Sequence, residues 1–199
     1  MLVQHLWGLF TSPAQQWRAI KDARMPISRT LFYVAVLAAI PAICGYVGTT
    51  SFGWQVGTAP VIKLSRQSAG LISIAYFAVI LVAVFSVGRM IQWMGATYGA
   101  AQPLSQCVAL AAFIASPLFL VGVFQLIPIL WLNLIVGLPA LAYTVFLLYV
   151  GIPIFMDIPP ERGFLFASAV LAVGLVGLVG LLAVTVILWG IGIGPVFVY

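Results

Sequence analysis

The chain has 199 residues, 6% of them charged, and a mean hydropathy of +1.24. A soluble globular chain carries roughly 25% charged residues, so a water-soluble domain is excluded and lipid must solvate most of the surface. The net charge of +5 does not point to nucleic acid: the cations are few and stand beside apolar runs, not clustered on one face.

Residues 1–29 hold no continuous apolar run of signal-peptide length. They read as two short amphipathic pieces that meet at Ser12-Pro13-Ala14-Gln15. There Ser12 is expected to cap a helix, Pro13 to take its first turn and Gln15 to return a bond to the cap. Leu6, Phe10, Trp17 and Ile20 fall near one face, with Arg18, Lys21 and Arg24 close by. Two readings stand: an amphipathic helix lying on the membrane surface, or a packed pre-helix that caps the bundle.

Five apolar runs of membrane length follow, at 31–48, 69–87, 104–123, 127–150 and 164–191. The first contains Pro41 and Cys44, and a polar connection with Gly and Pro punctuation, 49–68, separates it from the second. After the second come Arg89, Trp93 and Tyr98, residue types suited to a headgroup level. The third carries Ser116-Pro117 in its middle and is joined to the fourth by a tight turn. The fourth is expected to break at Gly151-Ile152-Pro153, with Tyr143 and Tyr149 near the interface, and to surface at Asp157, Glu161 and Arg162. The fifth exceeds the membrane thickness and must tilt or protrude. No polar stretch is long enough for a separate soluble domain. The chain therefore divides into a cytoplasmic amphipathic segment, 1–29, and an all-α polytopic domain, 30–199, with five transmembrane helices. Arg18, Lys21, Arg24, Arg29, Arg89 and Arg162 would share one side, and Lys63 and Arg66 the other. That asymmetry predicts a cytoplasmic N-terminus and an external C-terminus.

Four stretches carry a family resemblance: LWGLFTSPAQQW (6–17), IPAICGYVGTT (40–50), ASPLFLVG (115–122) and YTVFLLYVGIPIFMDIP (143–159). Together they resemble the Yip1 family of polytopic membrane proteins, in its bacterial inner-membrane branch. The resemblance implies a five-span bundle in the inner (cytoplasmic) membrane. Eukaryotic relatives look like trafficking factors that bind small Rab-type GTPases. This chain lacks their long polar N-terminal region, so GTPase binding is not carried over.

The chemical inventory is thin. His5, Asp22, Asp157 and Glu161 are expected at water interfaces, where solvated charge is the plain reading and no spacing forms a triad or ligand set. Cys44 and Cys107 are placed at opposite ends of the bundle. Gly174, Gly177 and Gly180 resemble a phosphate loop only on paper. They lie within an apolar helix and are expected to open a groove for close packing against another helix or a lipid chain. No Asp, Glu, Lys or His lies inside a span, which disfavours a proton-coupled carrier.

The sequence thus points to a non-enzymatic, membrane-organising or partner-binding protein with no cofactor. Its partners would be the lipid bilayer and a membrane protein or a second copy. The alternative is a small transporter or channel for a neutral or lipid-like solute. The expected contact surface is Trp17, Arg18, Lys21, Asp157, Glu161 and Arg162, on the cytoplasmic side.

Overall fold

The structure, a computed structural model, describes residues 2–54, 61–191 and 194–198, with the side chains of 2–4 left aside. The middle of the polar connection, 55–60, lies outside the described residues. Two short helices, α1 (Leu2–Thr11) and α2 (Pro13–Asp22), precede α3 (Ile27–Val47), which a π-type turn extends to Phe52. Then come α4 (Arg66–Gly95), α5 (Leu104–Ile114), α6 (Ser116–Val121) with a 3-10 turn to Leu126, α7 (Leu130–Met156) and α8 (Pro160–Gly190). The chain is an all-α polytopic membrane protein. Helices α3, α4, α7 and α8 are each long and apolar enough to cross a membrane, and α5 and α6 form a pair bent by 40°.

The bent pair is a broken span, not a re-entrant loop. At its start the Gln106 amide donates to the Lys21 carbonyl, at the junction that leads into α3. At its finish Gln125 lies against Gly45 and Gly48, at the far end of α3. It therefore travels the full length of α3. The break falls at Ala115, before Ser116-Pro117, where the Pro117 ring and missing N–H interrupt the helical ladder. The Ser116 hydroxyl donates back to the Ala112 carbonyl and meets the Tyr33 hydroxyl at 2.7 Å, so the bend is held by a buried polar pair.

Helix α5 is the axis of the core: every residue from Gln106 to Ile114 is buried. Against it pack Tyr33, Val34 and Leu37 of α3, Val84 and Ile91 of α4, and Leu147 and Ile152 of α7. Small residues permit the closest approaches. A Cβ on Gly88 would stand 2.7 Å from the Val108 Cα, one on Gly122 2.5 Å from Pro41, and one on Gly163 2.6 Å from Pro153. The last two seat a glycine on a proline ring of a neighbouring helix.

The N-terminal segment packs into the bundle, and the surface-helix reading gives way to the packed one. Leu9, Trp17 and Ile20 are fully buried. Helix α2 lies along α7, with Trp17 edge-on to Phe155 and its indole against Gly151. The Tyr143 hydroxyl donates to the Leu9 carbonyl at 2.7 Å, and Phe10 stacks on the Tyr143 ring. Tyr143 stands 13 residues before Met156, roughly 20 Å along the α7 axis. The α1–α2 hairpin thus reaches well into the bundle. The apolar face of α2, Trp17 and Ile20, is spent on the bundle and not on lipid, while Arg18 and Asp22 stay exposed. Pro13 does take the first helical turn, but Ser12 makes no side-chain cap and Gln15 returns no bond.

Three further expectations are corrected. Helix α7 does not break at Gly151-Ile152-Pro153 but runs on to Met156, since packing against α2 and α8 outweighs the lost Pro153 hydrogen bond. It ends at Asp157, in the left-handed region at φ 54°, where the Ile158 N–H closes on the Pro153 carbonyl and Pro159-Pro160 prevent continuation. Tyr143 and Tyr149 are not an interfacial belt: their hydroxyls reach Leu9 and Ser168 inside the helix contacts. Gly174, Gly177 and Gly180 meet nothing within 4 Å, because the outer half of α8 stands clear of the other helices. The expected close contact is not made within the chain.

At the opposite end from α2, Lys63–Leu64 (β1), in the α3–α4 connection, pairs antiparallel with Phe197–Val198 (β2) beyond α8. The α1–α2 hairpin and the C-terminal strand therefore lie at opposite ends of the bundle, as five crossings require.

Candidate functional site

The polar surface near α2 is assembled by the ends of three helices. Helix α2 delivers Arg18, Lys21 and Asp22, and α7 ends beside it at Asp157. The Lys21 ammonium forms an ion pair with the Asp157 carboxylate and donates to the Ile154 carbonyl. Its position answers both the side-chain charge and the unpaired carbonyls at the end of α7. Arg18, Lys21, Asp22, Pro153, Asp157 and Pro159 line an open depression of about 640 Å³. Helix α8 begins just beyond, with exposed Glu161 in its first turn, where a carboxylate complements the helix N-terminus. Arg162 lies against the turn at Gly99, and Tyr98 stacks on Phe166 beside it.

Of the residues expected on this surface, Lys21 and Asp157 are brought into contact and Arg18 joins them at the same depression. Glu161 and Arg162 lie on the α8 side. Trp17 is not on the surface: it is fully buried between α2 and α7. An amphipathic pattern does not separate a tryptophan facing lipid from one facing a neighbouring helix. Asp22 lines the depression but was not among the expected contact residues. Its signal was its place one residue after Lys21 on a helix that had to end at water.

Beside α2 lies one polar pair that aromatic rings continue toward the core. The Gln16 amide meets the His5 Nδ1 across Gly8, whose lack of a side chain leaves Gln16 its path. The imidazole stands edge-on to Phe113, and Phe113 stacks on Tyr33. Burial lowers the pKa of His5, in α1 and outside the spans, from its ordinary 6.5. His5 therefore faces the core and not the Asp157 side. Among the described residues no three His, Cys, Asp or Glu side chains stand close enough to hold a metal ion. What this end of the bundle offers is a mixed-charge concave surface on a firmly packed base.

The family follows from sequence comparison. The chain belongs to the family of the Yip1 domain, whose model matches residues 7–181 and so takes in the second half of α1 and all of α2. It is 41% identical over 191 residues to the inner membrane protein YohC of Escherichia coli K12, covering 96% of this chain and 98% of that one. The same figures hold for YohC of Escherichia coli O6:H1, strain CFT073. No solved structure matches. The chain is a multi-pass protein of the inner membrane.

Proposed function

We propose that this protein is a non-enzymatic, partner-binding organiser of the inner membrane, and that its contact surface is formed jointly by α2 and the α7–α8 turn. The observation that carries this reading is the Lys21–Asp157 ion pair, which ties residues 136 apart in the sequence into one surface. Asp157 is exposed and Lys21 partly covered, and a pair open to water on one side adds only about 0–1 kcal/mol to stability, so its place at the mouth of a concave surface fits recognition better than folding. The surface is proposed to face the cytoplasm. Arg18, Lys21, Arg24, Arg29, Arg89 and Arg162 lie at its end of the bundle, and Lys63 and Arg66 at the other, the distribution that positive-inside orientation favours.

Deleting residues 2–24 would strip Leu9, Trp17 and Ile20 from the core, so exposed charges are the proper probes. Arg18→Glu and Glu161→Lys are expected to insert and fold as the parent does, and to lose a membrane-protein partner that the parent retains in mild detergent. Retention of the same partner by both variants would sink the proposal. Passage of a neutral or lipid-like solute is the second reading. It is favoured by an apolar depression of about 470 Å³ where Phe10 and Tyr143 meet Pro117 and Pro139. Flux into proteoliposomes that depends on the protein would select it.

A further inference from the structure

Helices α3 and α4 run antiparallel, and on their lipid side they do not close. Phe32, Ala35, Leu81, Val82 and Phe85 line an apolar depression of about 420 Å³. Toward the other end of the same helix pair a second one, about 360 Å³, lies between Ala39, Ile43 and Tyr46 of α3 and Ile74 and Phe77 of α4. Phe85 is shared with a third, about 730 Å³, at the α2 end of α4, mostly apolar but with a share of polar lining that the other two lack. Ser86, Arg89, Gln92 and Trp93 line it, on one face of α4.

The charge there is uncompensated. Arg89 is exposed near the end of a membrane-spanning helix and has no carboxylate partner among the described residues. Its Nη1 donates to the Gln92 Oε1 at 2.5 Å, which orients the guanidinium and leaves the Gln92 NH2 as a further donor. Trp93 is 76% exposed one turn on, a position suited to the headgroup boundary. An apolar groove that runs into an oriented, unpaired guanidinium matches a molecule with a hydrocarbon chain and a phosphate. The planar fork of Arg suits phosphate oxygens in a way a lysine does not.

We propose that the α3–α4 groove and Arg89 hold one anionic glycerophospholipid of the leaflet at the α2 end. One acyl chain lies along Phe85, Leu81 and Ala35, and the phosphate sits on Arg89, with donors from Gln92 and Ser86. The site is on the opposite helix pair from the α2–α7 surface and does not depend on the partner-binding reading.

The test uses the full chain, delipidated in detergent, titrated with palmitoyl-oleoyl phosphatidylglycerol or with phosphatidylcholine of the same chains. Bound lipid is read by native mass spectrometry. The parent is expected to take up one phosphatidylglycerol at least tenfold more tightly than phosphatidylcholine. Arg89→Gln should lose that preference, Ala35→Phe should weaken both lipids by filling the groove, and Arg66→Gln, at the far end, should keep the preference. If Arg89→Gln does not fold, Arg89→Lys serves: a reduced preference supports the site and an unchanged one overturns it. Equal uptake of the two lipids by the parent overturns the proposal. So does a parent dimer that Ala35→Phe converts to monomer with no lipid bound, which would make the groove an interface between copies.

Discussion

Trp17 and Gly151 form the tightest joint between the N-terminal hairpin and the spans. A Cβ at 151 would stand 2.8 Å from the indole Cε2, and Trp17 is enclosed on all sides and cannot yield. Gly151→Ala is therefore expected to lower stability by about 1–3 kcal/mol, the usual range for overpacking. Gly177 has nothing within 4 Å, so Gly177→Ala should leave the monomer's melting temperature unchanged or slightly raised. Thermal unfolding of both in one detergent decides, and a larger loss for Gly177→Ala would reverse the assignment. His5 gives a pH signature. Its folded pKa lies below 6.5, so in the window just below that value the unfolded chain takes up a proton that the folded chain refuses. Stability must then fall as pH drops through that window. A melting temperature lower at pH 5.5 than at pH 7.5, with the difference reduced in His5→Asn, is the expected result.

Two elements owe their shape to short sequences whose effect depends on neighbours. The bend between α5 and α6 is set by Pro117 and secured by the Ser116–Tyr33 pair. Ser116→Ala should cost about 1–3 kcal/mol, because it leaves the Tyr33 hydroxyl buried and unpaired, and Tyr33→Phe only about 0.5–1.5 kcal/mol. Urea titration of the two variants orders them, and equal losses would mean that the hydroxyls do not pair. The end of α7 rests on Asp157 at positive φ. Asp157→Asn keeps a residue that tolerates this conformation and should lose no more than the ion pair, about 0–1 kcal/mol. Asp157→Val places a β-branched residue there and should lose about 1–3 kcal/mol. The sequence contained the prolines and the serine of both elements in plain view. What it could not convey was that Pro153 would be carried inside a helix while Pro117 would break one. Each has a similar local effect, and the surrounding contacts determine whether the chain continues.

At the scale of the whole molecule, the hairpin and the C-terminal strand lie at opposite ends, so the proposed cytoplasmic placement of the hairpin requires a C-terminal reporter to be active only outside the cytoplasm. Activity of a cytoplasmic reporter at that terminus would reject the proposed orientation. The sequence by itself determined the solvent, the class and the approximate spans, because charge depletion and apolar run length are local properties that lipid reads directly. It also determined the charge asymmetry on which the orientation rests. Only the tertiary structure decided that α1 and α2 belong to the bundle, that Trp17 is core while Trp93 is exposed, and that Gly88, Gly122, Gly151 and Gly163 make the close contacts instead of Gly174, Gly177 and Gly180. The physical reason is that nearly every face of these helices is apolar. In a soluble protein polarity marks the side that faces out, but between lipid and protein interior there is no such contrast. Which apolar face is buried is then settled by shape, and shape is known only once the helices have met.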